Sequence, residues 1–188
     1  MTIEQQYISA ETFWELTQQP EYADKLLELV AGEIIAMPKP GGKHGVITMR
    51  IARLIANFVE DNNLGYLTVA ETYIVKKNPQ GRDSVRGLDV GYIHKDRLPQ
   101  GIPDGYIPIA PDLAVEVISP GNTADDIHNK ILELLNADTK LIWIVYPESE
   151  TVDVRTKDGA KTLTIADKLD GGAALANFSL AIADIFRK

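Results

Sequence analysis

The sequence contains no cysteine, so neither a disulfide framework nor a thiolate zinc site is available, and the function has to work without sulfur chemistry. It has no apolar run near the roughly 18 residues of a membrane span, and its start, MTIEQQYISAETF, lacks the basic stretch and apolar block of a signal peptide. A soluble, cytoplasmic protein with no membrane partner is expected. Internal repeats and low-complexity segments are also missing. Positive charge is scarce: 19 Lys and Arg stand against 27 Asp and Glu, a net charge of −8, whereas phosphate-binding surfaces are normally basic. The balance is uneven along the chain. Residues 39–97 hold ten Lys or Arg and six Asp or Glu, a local +4 on an acidic body. Lys76, Lys77, Arg82 and Arg86 equally suit the plain role of solvating a long loop.

With 188 residues and 45% hydrophobic side chains, the chain is long enough for one substantial core. The stretch 111–135, PDLAVEVISPGNTADDIHNKILELL, is its centre. Leu113, Val115 and Val117 alternate with Ala114, Glu116 and Ile118, a strand pattern that sets Glu116 on the face opposite the three larger aliphatics. A carboxylate in such a strand needs a metal ion or a fixed cation as compensation. Ser119, Pro120 and Gly121 break the strand, and Thr123 with Asp126 has the spacing of a capping box. The helix that follows carries Ile127, Ile131, Leu134 and Leu135 as its apolar stripe, with Lys130 on the flank of that stripe.

Along the rest of the chain the pattern predicts a short helix over 9–19 and a hairpin over 25–37 turning at Ala31-Gly32, with Glu28 and Glu33 flanking the turn. A long helix follows to about Asn63, with His44 in its first turn, where a polar capping role and a site role are both open. Residues 65–77 read as a strand, 78–86 as a polar loop, and 88–94 as a second strand. In the latter, Asp89, Gly91 and Ile93 share one face. Residues 95–111 form a Pro- and Gly-punctuated connection, and 141–146 is an apolar strand covered on both faces. Residues 151–156 and 161–165 read as an antiparallel extension, and 179–186 as a closing helix. The expected architecture is one α/β domain over 1–188, a mixed sheet flanked by helices. It divides into an N-terminal helix and hairpin (1–42), a core (43–146), and C-terminal strands with a short helix (147–188).

Carboxylates stand on consecutive core strands, Asp89 and Glu116. Converging with a backbone carbonyl, they suit a hard divalent cation such as Mg²⁺, which takes one or two carboxylates and keeps its waters. Such an ion polarises a phosphoryl oxygen, lowers the pKa of a bound water and stabilises a leaving oxygen. Lys130 would then orient the attacking water or offset developing charge. Each residue also has a bland explanation. Backbone donors satisfy many strand-end carboxylates, and Asp126 and Glu133 are spaced for surface ion pairs with Lys130.

The combination LLELVAGEIIAMP, His44 opening the next helix, the 86–89 segment, PDLAVEVISP, Lys130, LIWIVYP and the closing FSLAIADIF resembles the Uma-two family of "putative restriction endonucleases", over nearly the whole chain. That family belongs to the PD-(D/E)xK nuclease-like proteins. The resemblance implies a restriction-endonuclease-like fold and a Mg²⁺-dependent endonuclease, with Mn²⁺ as a substitute, cutting DNA. It implies Asp89 and Glu116 as metal ligands, Val117 lending its carbonyl, and a catalytic lysine moved from the position of Ile118 to Lys130. Leu88 stands where the family motif tends to have Pro. Glu28, Glu33 and His44 match positions typical of the family as accessory candidates. A catalytically idle nucleic-acid or protein binding module of the same fold, and a hydrolase acting on RNA or nucleotides, are the alternatives. Exposed strand-rich additions at both ends, and the need to cut two strands, predict a homodimer.

Overall fold

In the computed structural model, which describes residues 7–77 and 82–187, every element is built around helix α2 (Gly42–Asp61) and a large mixed sheet. Ile47, Ile51, Ile55 and Val59 recur every four residues on α2, so one stripe is buried against the sheet. Residues 1–6 of the start MTIEQQYISAETF and residues 78–81 of the polar loop lie outside the described residues.

Eight strands form the sheet: β1 (Leu27–Val30), β2 (Glu33–Ala36), β3 (Gly65–Lys76), β4 (Ser84–His94), β5 (Leu113–Val117), β6 (Leu141–Tyr146), β7 (Thr151–Thr156) and β8 (Gly159–Leu163). β5 and β6 are parallel, joined through helix α3 (Ala124–Asn136), and the other pairings are antiparallel. The path runs β2-β1-β4-β5-β6-β7-β8, with β3 paired to β4 beside it. One edge of β4 is therefore taken by β3 over its length. The other edge is shared, with β1 meeting it at Val85 and β5 at 90–92. Between those two partners, residues 86–89 face a gap in the sheet.

Two cores cover the two faces. Val115, Val117, Trp143 and Val145 pack with the α2 stripe and with the C-terminal Phe178 and Ile185. On the other face Ala114, Ile142 and Ile144 meet Ile131 and Leu134 of α3. Helix α1 (Ala10–Thr17) anchors the hairpin through Phe13, which packs with Leu29 and Val85.

The structure corrects three expectations. β4 begins at Ser84, not at 88, so Arg86 is a buried strand residue and does not solvate a loop. β8 spans Gly159–Leu163, two residues earlier than the expected 161–165, after a turn at 157–158. Residues 179–186 split into a strand, β10 (Ser179–Ala181), and helix α4 (Ile182–Phe186). β10 pairs with β9 (Lys168–Asp170), a strand too short to show periodicity. The 95–111 connection docks against β3: Ile107 exchanges backbone hydrogen bonds with Thr72 and Ile74, covering that edge.

Candidate active site

The site lies at the gap where β1 and β5 separate along β4. The β4–β5 ladder extends to Val90 opposite Val115, and the next residues along are Asp89 and Glu116. Here the backbone pairing gives way to a side chain: the N–H of Val117 donates to Asp89 Oδ2 at 2.7 Å. At the other lip of the gap, the N–H of Gly87 donates to Glu28 Oε1 at 3.0 Å. Buried backbone donors that lose a strand partner need another acceptor, and these two carboxylates supply it. Alternation also breaks at this point. Val90 and Tyr92 belong to the α2-side core, whereas Leu88 belongs to the α3-side core, and Ala70 on the facing strand has a left-handed φ of 50–60° (58°).

Asp89 Oδ2 also meets His44 Nε2 at 3.0 Å, from the first turn of α2. Both contacts fall on Oδ2, which leaves Oδ1 for a ligand. Val117 turns its carbonyl the same way as its N–H, because the next residue, Ile118, donates to Val145 on the β6 edge and successive strand residues address opposite edges. The oxygen donors of Asp89 and Val117 thus converge beside Glu116.

Glu116 is pushed up to about 7, chiefly by burial; Lys130 draws it down, and the charges of Asp89 and Glu28 push it further up. Its Oε1 lies 2.6 Å from Lys130 Nζ. Burial alone would lower Lys130, but Glu116 and Glu28 outweigh it and hold the ammonium above its usual value. Lys130 is therefore a fixed cation here. The expected surface pairs are replaced: Asp126 closes the helix cap with Thr123, each donating to the other, and Glu133 takes Arg86 and Ser84. Lys130 pairs with Glu116 and, at 3.2 Å, with Glu28.

A cleft of about 250 Å³ is lined by Glu28, His44, Asp89, Glu116, Val117 and Lys130. The structure thus brings together six of the seven residues singled out from sequence. Glu33 is not among them: it sits exposed on the edge strand β2. Missed from sequence were Arg86 and Glu133, which the structure joins to Glu28 through ion pairs of 3.2 Å each along Glu28–Arg86–Glu133. The apolar neighbours Val85 and Leu88 were the signal that Arg86 lies in a strand, but Gly87 between them masked it.

Among the described residues no group of three or more His, Cys, Asp or Glu gathers as a metal cluster. Two carboxylates and one carbonyl are nevertheless a hard-oxygen set, and Asp89 and Glu116 form a half-buried like-charge pair in which Lys130 stands beside Glu116. The residues present fit a hydrated Mg²⁺ or Mn²⁺.

A mixed sheet flanked by helices, with carboxylates where two strands part, is a restriction-endonuclease-like α/β fold. The match to a family model over residues 10–183, described as "Putative restriction endonuclease", places the chain in that family: it belongs to the Uma2 family. The fold is shared with a crystal structure described as "a putative nuclease belonging to DUF820" from Anabaena variabilis ATCC 29413. That protein is 22% identical, with a TM-score of 0.79 over 92% of this chain and 95% of the other. No curated protein matches this sequence. Among the described residues, no helix is long and apolar enough to cross a membrane.

Proposed function

We propose that this protein is a nuclease that hydrolyses phosphodiester bonds of DNA with Mg²⁺, or Mn²⁺ in its place. What carries the proposal is one juxtaposition: Asp89 and Glu116 converge at the strand gap with the ammonium of Lys130 2.6 Å from Glu116. Family membership supports the same chemistry.

Asp89, Glu116 and the Val117 carbonyl are the groups that would hold the ion. Bound there, it would supply Lewis-acid charge stabilisation and a more acidic water. The protein's own residues do the rest. His44 fixes the rotamer of Asp89 through Oδ2, so that Oδ1 presents to the cleft. Lys130, held as a cation, offsets negative charge developing on the phosphoryl oxygens. Preorganised donors of this kind are each worth roughly 10²–10³ in rate. Its two carboxylate partners, Glu116 at 2.6 Å and Glu28 at 3.2 Å, favour the charged ammonium and so that electrostatic role over proton abstraction.

The alternative of a binding module with an idle site draws on the charge balance. Two cations of the basic region, Lys43 and Lys77, are engaged by Glu148 and Glu11, which leaves fewer for phosphates. One assay separates these readings: purified protein with plasmid, linear and single-stranded DNA and with RNA, each with Mg²⁺, Mn²⁺ or EDTA. Metal-dependent, EDTA-sensitive loss of DNA is the expected outcome. Cleavage of RNA alone would move the substrate, and no cleavage of any of them would favour the binding module.

A further inference from the structure

We infer that the N-terminal hairpin completes the active site, with Glu28 as the positioning residue that holds Lys130 beside Glu116. The catalytic consequence rests on the nuclease reading above; the positioning itself does not.

Hairpin strand β1 is added outside the core helix–strand–strand–strand–helix–strand order, yet it delivers a carboxylate that is 4% exposed into the cleft. Leu29 pairs with Val85 across the β1–β4 junction, and one step along each strand stand Glu28 and Arg86. The two oxygens of Glu28 divide their partners. Oε1 accepts from Gly87 N–H at 3.0 Å and meets Lys130 Nζ at 3.2 Å, while Oε2 meets Arg86 Nη1 at 3.2 Å. Arg86 Nε continues to Glu133 Oε2 at 3.2 Å, and Ser84 Oγ donates to Glu133 Oε1 at 2.9 Å. The same Ser84 oxygen accepts the N–H of Ala31 at 3.0 Å, in the hairpin turn. The chain of contacts thus leaves the cleft at Lys130, crosses β4 and α3, and returns to the hairpin that carries Glu28.

Lysine is a compact charge on a flexible stem, so one carboxylate leaves its direction loosely defined. Two carboxylates from separate elements fix it. Glu116 is shared with any cation in the cleft, so Glu28 is the anchor of Lys130 that does not depend on the site's occupancy. Stability alone gives a weak reason for this network. Buried ion pairs are commonly no better than apolar packing of the same volume, and Glu28, Arg86 and Lys130 line a cavity of about 250 Å³ together with Ile35, Met37 and Ile131. The hairpin's exit is also fitted to the site's turn: a Cβ on Gly121 would meet Pro38 Cγ at 2.8 Å.

The test uses the full chain with ¹⁵N-labelled lysine. In EDTA, the Lys130 ammonium signal is assigned by its loss in Lys130→Met. Glu28→Gln is expected to shift that signal or lose it to water exchange, and to lower kcat for Mg²⁺-dependent DNA cleavage by roughly ten- to a hundred-fold with KM and Mn²⁺ affinity near wild type. Glu28→Asp, which keeps the charge, should recover part of kcat. Because Glu28→Gln leaves Arg86 with Glu133 alone as its counter-charge, the double variant Glu28→Gln/Arg86→Gln removes both members of the Glu28–Arg86 pair and should give the same result if the single variant folds poorly. A Lys130 signal unmoved in the folded variants overturns the proposal, and so does a moved signal with unchanged kcat. A wild type that cleaves no nucleic acid, with the signal still moving in Glu28→Gln, overturns the nuclease reading and supports Glu28 as the holder of Lys130.

Discussion

Asp89 and Glu116 reach the cleft by different routes. Asp89 stands where the β4–β5 ladder stops, and its carboxylate replaces the missing backbone partner of Val117. Glu116 stays within β5, still in register with Ile144 of β6, and depends on Lys130 for its charge. If both serve as ligands, calorimetric titration with Mn²⁺ should show binding to the wild type and much weaker binding to Asp89→Ala and to Glu116→Ala. Binding unchanged in both variants would remove the metal site. Lys130→Met separates the cationic role from ligation: cleavage should fall by roughly two orders of magnitude while Mn²⁺ affinity stays near wild type. Equal cleavage by the two proteins would defeat the role assigned to Lys130.

At the scale of elements, the sheet end opposite the cleft is fastened by a residue that sequence patterns did not reveal. Asp112 is fully buried just before β5. Its oxygens take the N–H of His94 at 2.9 Å and the charges of Lys140 at 2.8 Å and Arg97 at 3.1 Å, tying the ends of β4 and β5 to the start of β6. Burial alone would raise its carboxyl; the His94 N–H, Lys140 and Arg97 together outweigh that and hold it below its usual value of 3.8. A depressed carboxyl contributes stability that is present above the unfolded value and lost as the pH falls through the folded one. Urea unfolding should therefore show wild-type stability declining below about pH 4 more steeply than that of Asp112→Asn. At neutral pH the variant should be less stable by about 3 kcal/mol, the low end for a broken buried pair, because Arg97 and Lys140 keep access to water. Helix α3 has a smaller fastening at Thr123, which accepts the N–H of Asp126; Thr123→Ala should cost about 1 kcal/mol.

For the whole molecule, the two outer strands of the sheet path are β2 and β8, both from the added terminal segments. β2 is exposed along its length, with Ile34 and Ile35 among its side chains. Such an edge invites pairing, and a duplex cut on both strands calls for two sites related by a two-fold axis. Light scattering at micromolar concentration should therefore give about twice the chain mass of 20.7 kDa. A mass near 20.7 kDa would contradict the dimer.

The sequence by itself determined the order of the helices and strands from α1 to β8, the strand that carries Glu116 and the helix that carries Lys130. These follow from local periodicity, which the chain expresses residue by residue: the four-residue stripe of α2 and the alternation of β5 are legible without knowing their neighbours. Charge partners were not legible. Lys130 has two acidic neighbours at helical spacing, Asp126 and Glu133, and pairs instead with Glu116 and Glu28, which are 14 and 102 positions away by number. Asp126 is occupied by the helix cap and Glu133 by Arg86, so the local pairs lose to partners that only the sheet brings near. The tertiary structure decided these pairings because β1 and β5 part along β4, and the buried donors at that gap draw in whichever carboxylates can reach them.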